Sequence, residues 1–266
     1  MHVALNIVLA KAQDLTKSTL VEEVKALLEL SGINNYELHE IKPYILKLEV
    51  DKHVLSSLLD NLCRSAFIKR IECPDLDLAL EFGREFVCKP RPLYKVDTAS
   101  APLEAVISRL LINLARVKQG ARVLDPFSGV GGILFEAALV GAYVIGQDIG
   151  QLYLKALRRN IPVLSDTILA DSSHGIAIRE ESIDAIVSDP PYSKLSVVDK
   201  DLDHIYYTAV KECARVLKTG CYLSWTCIAS IELEDLVEEA GLEVIHVGFQ
   251  LVHRSLTRKI VVARKI

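Results

Sequence analysis

The chain has 266 residues, a formal net charge of −4, and a composition that is 50% apolar and 25% charged. These values exclude a disordered chain. They also exclude a protein that coats nucleic acid through a global positive charge. The length suits one large domain plus one small one.

Residues 1 to about 75 alternate strand and helix patterns. His2 to Leu9 reads as a strand. Ser18 and Thr19 are cap candidates for a helix whose apolar positions Val21, Val24, Leu27 and Leu28 keep helical spacing up to Gly32. Strand-like pieces follow at Tyr36–His39 and Ile45–Val50, then a helix from His53 to Cys63 and a strand at Ile68–Glu72. The order β-α-β-β-α-β predicts a small α+β ferredoxin-like domain over residues 1–75. Residues 76–100 lose periodicity. Cys88-Lys89-Pro90-Arg91-Pro92 is a stiff extended stretch, so this region is expected to be the link into a second domain over residues 101–266.

That second region predicts longer units: a helix over Pro102–Val117, a strand at Arg122–Asp125, a helix at Gly131–Val140, a strand at Tyr143–Gln147, a helix at Leu152–Arg159 and strands at Ile168–Ala170 and Ile183–Ser188. A helix at His204–Leu217, a strand at Cys221–Thr226 and a helix at Leu233–Ala240 come next. Strands Glu243–Val252 and Lys259–Ala263 then pair around Ser255-Leu256-Thr257. Repeated β-α units imply a mostly parallel sheet covered on both faces, here of seven strands with a terminal antiparallel hairpin. Ligands of such sheets bind beyond the carboxyl ends of the strands, near the switch point. The six cysteines form no C-x-x-C pair, so no metal site is expected and free thiols in a reducing cytosol are. No leader pattern and no apolar run of roughly 18 residues is present, which points to a cytoplasmic protein with no membrane segment.

Two segments carry chemistry. Val123-Leu124-Asp125-Pro126-Phe127-Ser128-Gly129-Val130-Gly131-Gly132 is a strand, a Gly-rich turn and a helix start. Taken by itself that turn fits a dinucleotide equally well. Asp125, however, ends one strand, Asp148 ends the next, and Asp171 follows the third. Asp125 can bind an ammonium or pin the turn, Asp148 can take a ribose diol, and Asp171 can accept from an adenine amino group. Three such carboxylates suit a cationic ligand with a ribose, and a carboxylate beside the turn would repel a pyrophosphate. S-adenosylmethionine has the required sulfonium, ammonium, ribose and adenine. The expected cofactor-binding set is Asp125, Phe127, Gly129, Gly131, Gly132, Asp148, Ile149, Asp171 and Ser172.

The second segment, Ser188-Asp189-Pro190-Pro191-Tyr192, follows the apolar fourth strand. The prolines hold the backbone extended, with carbonyls facing outward. An amino group on an aromatic base is a poor nucleophile because the ring delocalises its lone pair. Hydrogen bonds to the Asp189 carboxylate and the Pro190 carbonyl would pull the nitrogen toward sp³ character and aim that lone pair. Tyr192 offers a ring for the base to stack on, worth about 1–3 kcal/mol. Asp189, Pro190, Pro191 and Tyr192 are therefore the catalytic candidates. Basic clusters at Lys89, Arg91 and Lys95 and at Arg254 and Arg258 are candidate RNA contacts.

Together these segments resemble the archaeal and eukaryotic tRNA guanosine N2-methyltransferases that act at position ten. Gly141-Ala142-Tyr143-Val144-Ile145-Gly146-Gln147-Asp148, Arg91-Pro92-Leu93-Tyr94-Lys95, Asn113-Leu114-Ala115-Arg116-Val117 and Val252-His253-Arg254-Ser255-Leu256-Thr257-Arg258 add to the likeness. The resemblance covers about residues 89–266. It implies a Rossmann-like class I methyltransferase fold and methyl transfer to guanosine N2 in tRNA. Asp125, Gly129, Gly131, Asp148 and Asp171 would hold the cofactor, and Asp189 with Tyr192 the guanine. Eukaryotic members work with a small zinc-binding activator subunit, a candidate partner here. Archaeal members usually carry a THUMP module between a small ferredoxin-like domain and the catalytic domain; residues 1 to about 75 read as the ferredoxin-like part only, and too few are expected to remain between it and Lys89 for that module. Three alternatives follow: methylation of another amino group (rRNA guanine, adenine N6 or protein glutamine), a non-catalytic RNA-binding relic of the fold, and a dehydrogenase, which the repulsion at Asp125 disfavours.

Overall fold

The computed structural model describes residues 2–82, 103–161, 165–192 and 202–266. The chain divides into two compact units, residues 1–90 and 91–266.

In the first unit β1 (His2–Leu9), β2 (Leu38–Lys42), β3 (Ile45–Asp51) and β4 (Ile68–Cys73) form an antiparallel sheet with α1 (Lys17–Leu30) and α2 (Leu55–Leu62). The sheet order is β2-β3-β1-β4-β5. The first four strands and two helices thus follow the expected β-α-β-β-α-β course. An additional edge strand, β5 (Leu78–Glu81), lies in the stretch read from sequence as aperiodic. Along β1, Val3, Leu5, Ile7 and Leu9 are buried on alternate positions, as a strand with one covered face requires. The start of α1 differs from expectation. Its N-cap is Thr16, and Ser18 and Thr19 lie inside the first turn. Its end is sharp: Gly32 has φ 78, and the amides of Gly32 and Ile33 return to the carbonyls of Glu29 and Leu28. Glu23, buried on α1, accepts from Ser65 Oγ and the Ala66 amide, both at 2.7 Å, and so ties α1 to the approach of β4.

The second unit contains β6 (Arg122–Asp125), β7 (Tyr143–Asp148), β8 (Ser165–Leu169), β9 (Ile183–Ser188), β10 (Leu217–Ile228), β11 (Leu242–His253) and β12 (Leu256–Lys265). Its helices are α3 (Ala105–Leu114), α4 (Gly132–Leu139), α5 (Gln151–Asn160), α6 (Leu202–Val216) and α7 (Leu233–Glu239). The strand order is β11-β12-β10-β9-β6-β7-β8. Strands β6 to β10 pair in parallel and β12 pairs antiparallel with both β10 and β11. This is the seven-stranded, mostly parallel sheet with a terminal hairpin that the sequence predicts. After β8 the chain crosses back over β6 to lay down β9, so β6 and β9 flank the switch point where such sheets bind ligands.

The central strands are buried on both faces, which explains their unbroken apolar runs. Trp225 on β10 is fully buried, with Phe127 edge-on at 5.9 Å and Tyr206 of α6 at 6.4 Å. Between α3 and α4 the Arg109 guanidinium is buried against Glu136, with Nε 2.8 Å from Oε2. No helix among the described residues is long and apolar enough to cross a membrane. Among the described cysteines, Cys73, Cys213 and Cys227 are buried, whereas Cys63 is exposed.

Candidate active site

The ends of β6, β7 and β8 are adjacent in the sheet; Asp125 and Asp148 are the last residues of β6 and β7, and Asp171 lies two residues past β8. Asp125 is 2% exposed, and its Oδ1 accepts from the Phe127 amide at 3.0 Å and from Ser188 Oγ at 2.7 Å. It therefore pins its own turn and ties β6 to the end of β9. Burial pushes this carboxyl up to about 7, and Asp189 and Asp148 add to the rise.

Asp148 bridges two turns. Its Oδ2 accepts from the Gly129 amide at 2.9 Å and its Oδ1 from the Gly150 amide at 2.8 Å. Burial raises its carboxyl as well, and these amides hold the rise in check. Asp171 Oδ1 accepts from the Ser173 amide and hydroxyl at 2.9 and 2.7 Å, and its Oδ2 lies 2.9 Å from His174 Nδ1. Ser172 is buried and joins the loop after β8 to the turn after β6. Its Oγ donates to the Pro126 carbonyl at 2.5 Å and accepts from Gln147 Nε2 at 2.8 Å. Gln147 also donates to the Gly175 carbonyl at 3.0 Å. Sequence reading passed over Gln147. The available signal was a polar side chain inside a strand buried on both faces, which must find a partner.

The turn itself depends on close packing. Gly131 precedes α4 with φ 87, and a Cβ there would sit 2.9 Å from Leu157 Cγ on α5. The helix starts at the next residue, Gly132. Gly146 on β7 is equally constrained, since a Cβ would meet Leu157 Cδ1 at 2.5 Å and Ser128 Oγ at 2.8 Å. We expect Gly131→Ala to lower stability by about 1–3 kcal/mol, through the left-handed φ and the displaced Leu157. Denaturant unfolding followed by the fluorescence of Trp225 would measure this, and an unchanged midpoint would contradict it. Phe127 is half-buried and Ile149 is 60% exposed, so Ile149 leaves an apolar side chain open to solvent beside Asp148.

Among the described residues no Lys or Arg pairs with Asp125 or Asp148. A buried carboxylate raised by two like charges is stabilised by an incoming cation. A Cβ at Gly129 would meet nothing within 4 Å, so the turn has open space beside that residue. The residues present therefore fit a cationic group.

The Asp189 corner is built from β9, β10 and β12. Ser188 ends β9 and pairs with Trp225 on β10. The next residue of β10, Thr226, donates through Oγ1 to Asp189 Oδ1 at 2.5 Å. The Tyr192 hydroxyl also donates to Oδ1. Arg258 of β12 lies behind both, with its Nε 2.7 Å from the Tyr192 hydroxyl and 3.6 Å from Asp189 Oδ1. Among the described residues every contact on this carboxylate falls on Oδ1, and none reaches Oδ2 or the Pro190 carbonyl. Burial and the Asp189 charge push the Tyr192 phenol well above its ordinary value, so it remains a donor. Pro190 is buried and Pro191 exposed, and the Pro191 carbonyl accepts from the Tyr206 hydroxyl at 3.4 Å. Tyr192 is thus anchored by its hydroxyl, with Arg258 Cζ 5.6 Å from its ring centre. Thr226 was not singled out from sequence, although it is a hydroxyl in the apolar run Trp225-Thr226-Cys227.

The basic residues separate. Arg254 is exposed in the turn between β11 and β12. Arg258, grouped with it by sequence, is buried at Asp189 instead. Lys259 is buried and pairs with Glu232 and Glu234, and Lys265 pairs with Glu181. A strand sends alternate side chains to opposite faces, so a basic run in the sequence is not a basic patch on the surface. Lys89, Arg91 and Lys95 lie outside the described residues.

Comparison with known proteins adds the chemistry class. The family model for UPF0020, the RMKL-like methyltransferase domain, matches residues 92–260. A tRNA (guanine(10)-N2)-dimethyltransferase of Methanothermobacter thermautotrophicus is 32% identical over 164 residues, covering 60% of this chain and 48% of that protein. One with the same name from Methanocaldococcus jannaschii is 32% identical over 193 residues, covering 69% and 52%. The human U6 snRNA (guanine-N(2))-methyltransferase THUMPD2 is 32% identical over 159 residues, covering 55% and 31%. The chain spans about half the length of the archaeal relatives. Among solved structures, TrmN from Thermus thermophilus has a TM-score of 0.51 at 23% identity, covering 60% of this chain and 48% of that one. The [4+2]-cyclase SpnF has a TM-score of 0.50 at 16% identity, covering 67% and 88%. These two likenesses establish the fold, and the presence of a cyclase between them shows why the fold does not choose the reaction. The family follows from the sequence match: the chain belongs to the RMKL-like methyltransferase domain family, UPF0020.

Proposed function

We propose that this chain transfers the methyl group of S-adenosylmethionine to the exocyclic N2 amino group of a guanosine in tRNA, at position ten. The observation that carries the reading is the Asp189 corner, where two hydroxyl donors occupy Oδ1 and leave Oδ2 facing no donor among the described residues. The family match and the names of the archaeal relatives support guanine N2 and tRNA. We assign the chemistry to the second unit, with the first unit, whose sheet extends through β5 to Glu81, as a separate small domain.

When bound, S-adenosylmethionine supplies an electrophilic methyl group on a sulfonium. Asp125, Gly129, Gly131, Gly132, Asp148, Ile149, Asp171 and Ser172 would hold it, with Phe127 beside them. Asp125 and Asp148 offer the negative field a cation needs. The protein's remaining task is to raise the nucleophilicity of a conjugated amine. The guanine NH₂ would donate one hydrogen to Asp189 Oδ2 and one to the Pro190 carbonyl. Both acceptors pull density onto nitrogen and fix the direction of its lone pair. The nitrogen would gain its bond to the methyl carbon as that carbon's bond to sulfur breaks and the neutral thioether leaves, and it would lose one proton, for which Asp189 Oδ2 is the acceptor at hand. A base inside a duplex cannot reach this corner, so the target nucleotide must leave its stack.

The human relative is named for U6 snRNA, so a guanine N2 in another RNA is the second reading. A small activator subunit and a cytoplasmic setting go with the tRNA reading. The deciding experiment offers labelled S-adenosylmethionine with bulk tRNA, U6 snRNA, rRNA, DNA and protein, followed by nucleoside analysis. N2-methylguanosine in tRNA is expected. Label confined to DNA or protein would refute the proposal, and label confined to U6 snRNA or rRNA would replace tRNA with that RNA.

A further inference from the structure

Arg258 presents a question that its place in a basic tail does not answer. Its side chain is 10% exposed. A guanidinium taken out of water is costly unless its donors and its charge are matched. Here its charge and its Nε and Nη1 donors find partners inside the protein. Gln250 is its cross-strand neighbour on β11, is 2% exposed, and accepts from Nη1 at 2.5 Å. The Nε proton goes to the Tyr192 hydroxyl at 2.7 Å. The Tyr192 hydroxyl in turn donates a hydrogen bond to Asp189 Oδ1. Nε lies 3.6 Å from that oxygen, near enough for its charge to act and too far for a second hydrogen bond.

The direction of each bond matters. A phenol that accepts from a cation is polarised and donates more strongly through its own O–H. Thr226 reaches the same Oδ1 by a second route. The carboxylate is therefore clamped on one oxygen. Its plane and the direction of Oδ2 follow from residues on β10 and β12, not from the Asp-Pro-Pro loop alone.

We propose that Arg258, held by Gln250, is a positioning residue that sets the orientation of the Asp189 carboxylate through the Tyr192 hydroxyl. This rests on the reading of Asp189 as the group that grips the acceptor amine. A surface arginine that contacts RNA phosphate would affect substrate affinity. A positioning arginine affects the rate at saturation, because a misplaced carboxylate forfeits alignment in the transition state.

The test compares wild type with Arg258→Met, Arg258→Lys and Gln250→Leu in tRNA methylation. Cofactor affinity is measured by calorimetry in parallel. Arg258→Met is expected to lower kcat about 100-fold, with KM for tRNA and the cofactor Kd each within about threefold. Lysine restores the charge without the fork, and is expected to recover less than about a tenth of the loss. Gln250→Leu keeps the cation and frees its orientation; a fall in kcat of about tenfold is expected, and this variant carries the test if Arg258→Met does not fold. Adding Tyr192→Phe to Arg258→Met should cost much less than the product of the two single losses, since both break one chain of bonds. A raised KM with unchanged kcat would overturn the proposal and make Arg258 an RNA contact. Unchanged kinetics would overturn it outright, as would independent losses in the double variant. If wild type transfers no methyl to any RNA, the functional reading fails and this proposal with it. If wild type is active and Arg258→Met and Gln250→Leu match it, this proposal fails alone.

Discussion

Replacing Asp189 with alanine is expected to slow methyl transfer by about a thousandfold while leaving S-adenosylmethionine affinity within about threefold. The asymmetry follows from the site. Asp189 belongs to the β9–β10–β12 corner, and the carboxylates nearest the Gly-rich turn are Asp125 and Asp148. Alanine also removes the acceptor shared by the Tyr192 and Thr226 hydroxyls and the carboxylate that faces Arg258. Asp189→Asn is the more discriminating change. The two hydroxyls would keep the amide oxygen at the Oδ1 position, which turns the NH₂ toward the acceptor amine. A donor would then face a donor, and a loss of about 100-fold is expected with the fold preserved. Single-turnover rates with labelled cofactor, beside calorimetry of cofactor binding, measure both variants. Turnover equal to wild type in Asp189→Ala would remove Asp189 from the mechanism.

The second large effect is on pH. Asp125 is pushed from an ordinary 3.8 to about 7, first by burial and further by Asp189 and Asp148. A cationic ligand favours the ionised form, so below pH 7 binding must first expel a proton. Cofactor Kd is expected to rise about tenfold for each pH unit below about 7, and to level off above it. The window closes near pH 8, where the ligand's own α-amino group loses its charge. The stability contribution has the opposite sign to that of a paired carboxylate. Between about pH 4 and pH 7 the native protein binds a proton that the unfolded chain has released, so this group's contribution to stability falls as pH rises through that range. Asp125→Asn should flatten the pH dependence of binding and weaken the cofactor at neutral pH, while its amide oxygen still accepts from Ser188 and Phe127. Calorimetry from about pH 5.5 to 7.5 decides; a wild-type affinity independent of pH over that range would contradict the assignment.

The strands that build the site were legible for a physical reason. β6 and β9 run into Asp125-Pro126 and Asp189-Pro190, and in each an apolar run meets a proline that cannot continue a ladder. Their observed bounds, Arg122–Asp125 and Ile183–Ser188, equal the expected ones. β10 begins at Leu217 rather than Cys221, because Lys218, Thr219 and Gly220 carry no apolar signal; the pairing with β9 shifts register across them and Gly220 has φ 80. β5 went unread because Leu78-Ala79-Leu80-Glu81 is a four-residue edge with too little alternation to stand out. The site divides in the same way. Asp125, Asp148 and Asp189 could be read because each sits at a strand end, where the chain itself places it. Ser188, Gln147, Thr226 and Gln250 act through partners 25 to 63 residues away or across a hairpin. Sequence shows each as a polar residue in an apolar strand but not what it holds. Arg258 was read by its neighbours in sequence, and strand pairing gave it different neighbours in space.

We propose that this chain methylates guanosine N2 in tRNA through the Asp189 corner. Mass spectrometry of tRNA nucleosides from cells lacking the gene, complemented with wild type or with Asp189→Ala, tests it most directly. N2-methylguanosine should fall at one position, return with the wild-type gene and stay absent with the variant. An unchanged nucleoside profile in the deletion, or full restoration by Asp189→Ala, would contradict it.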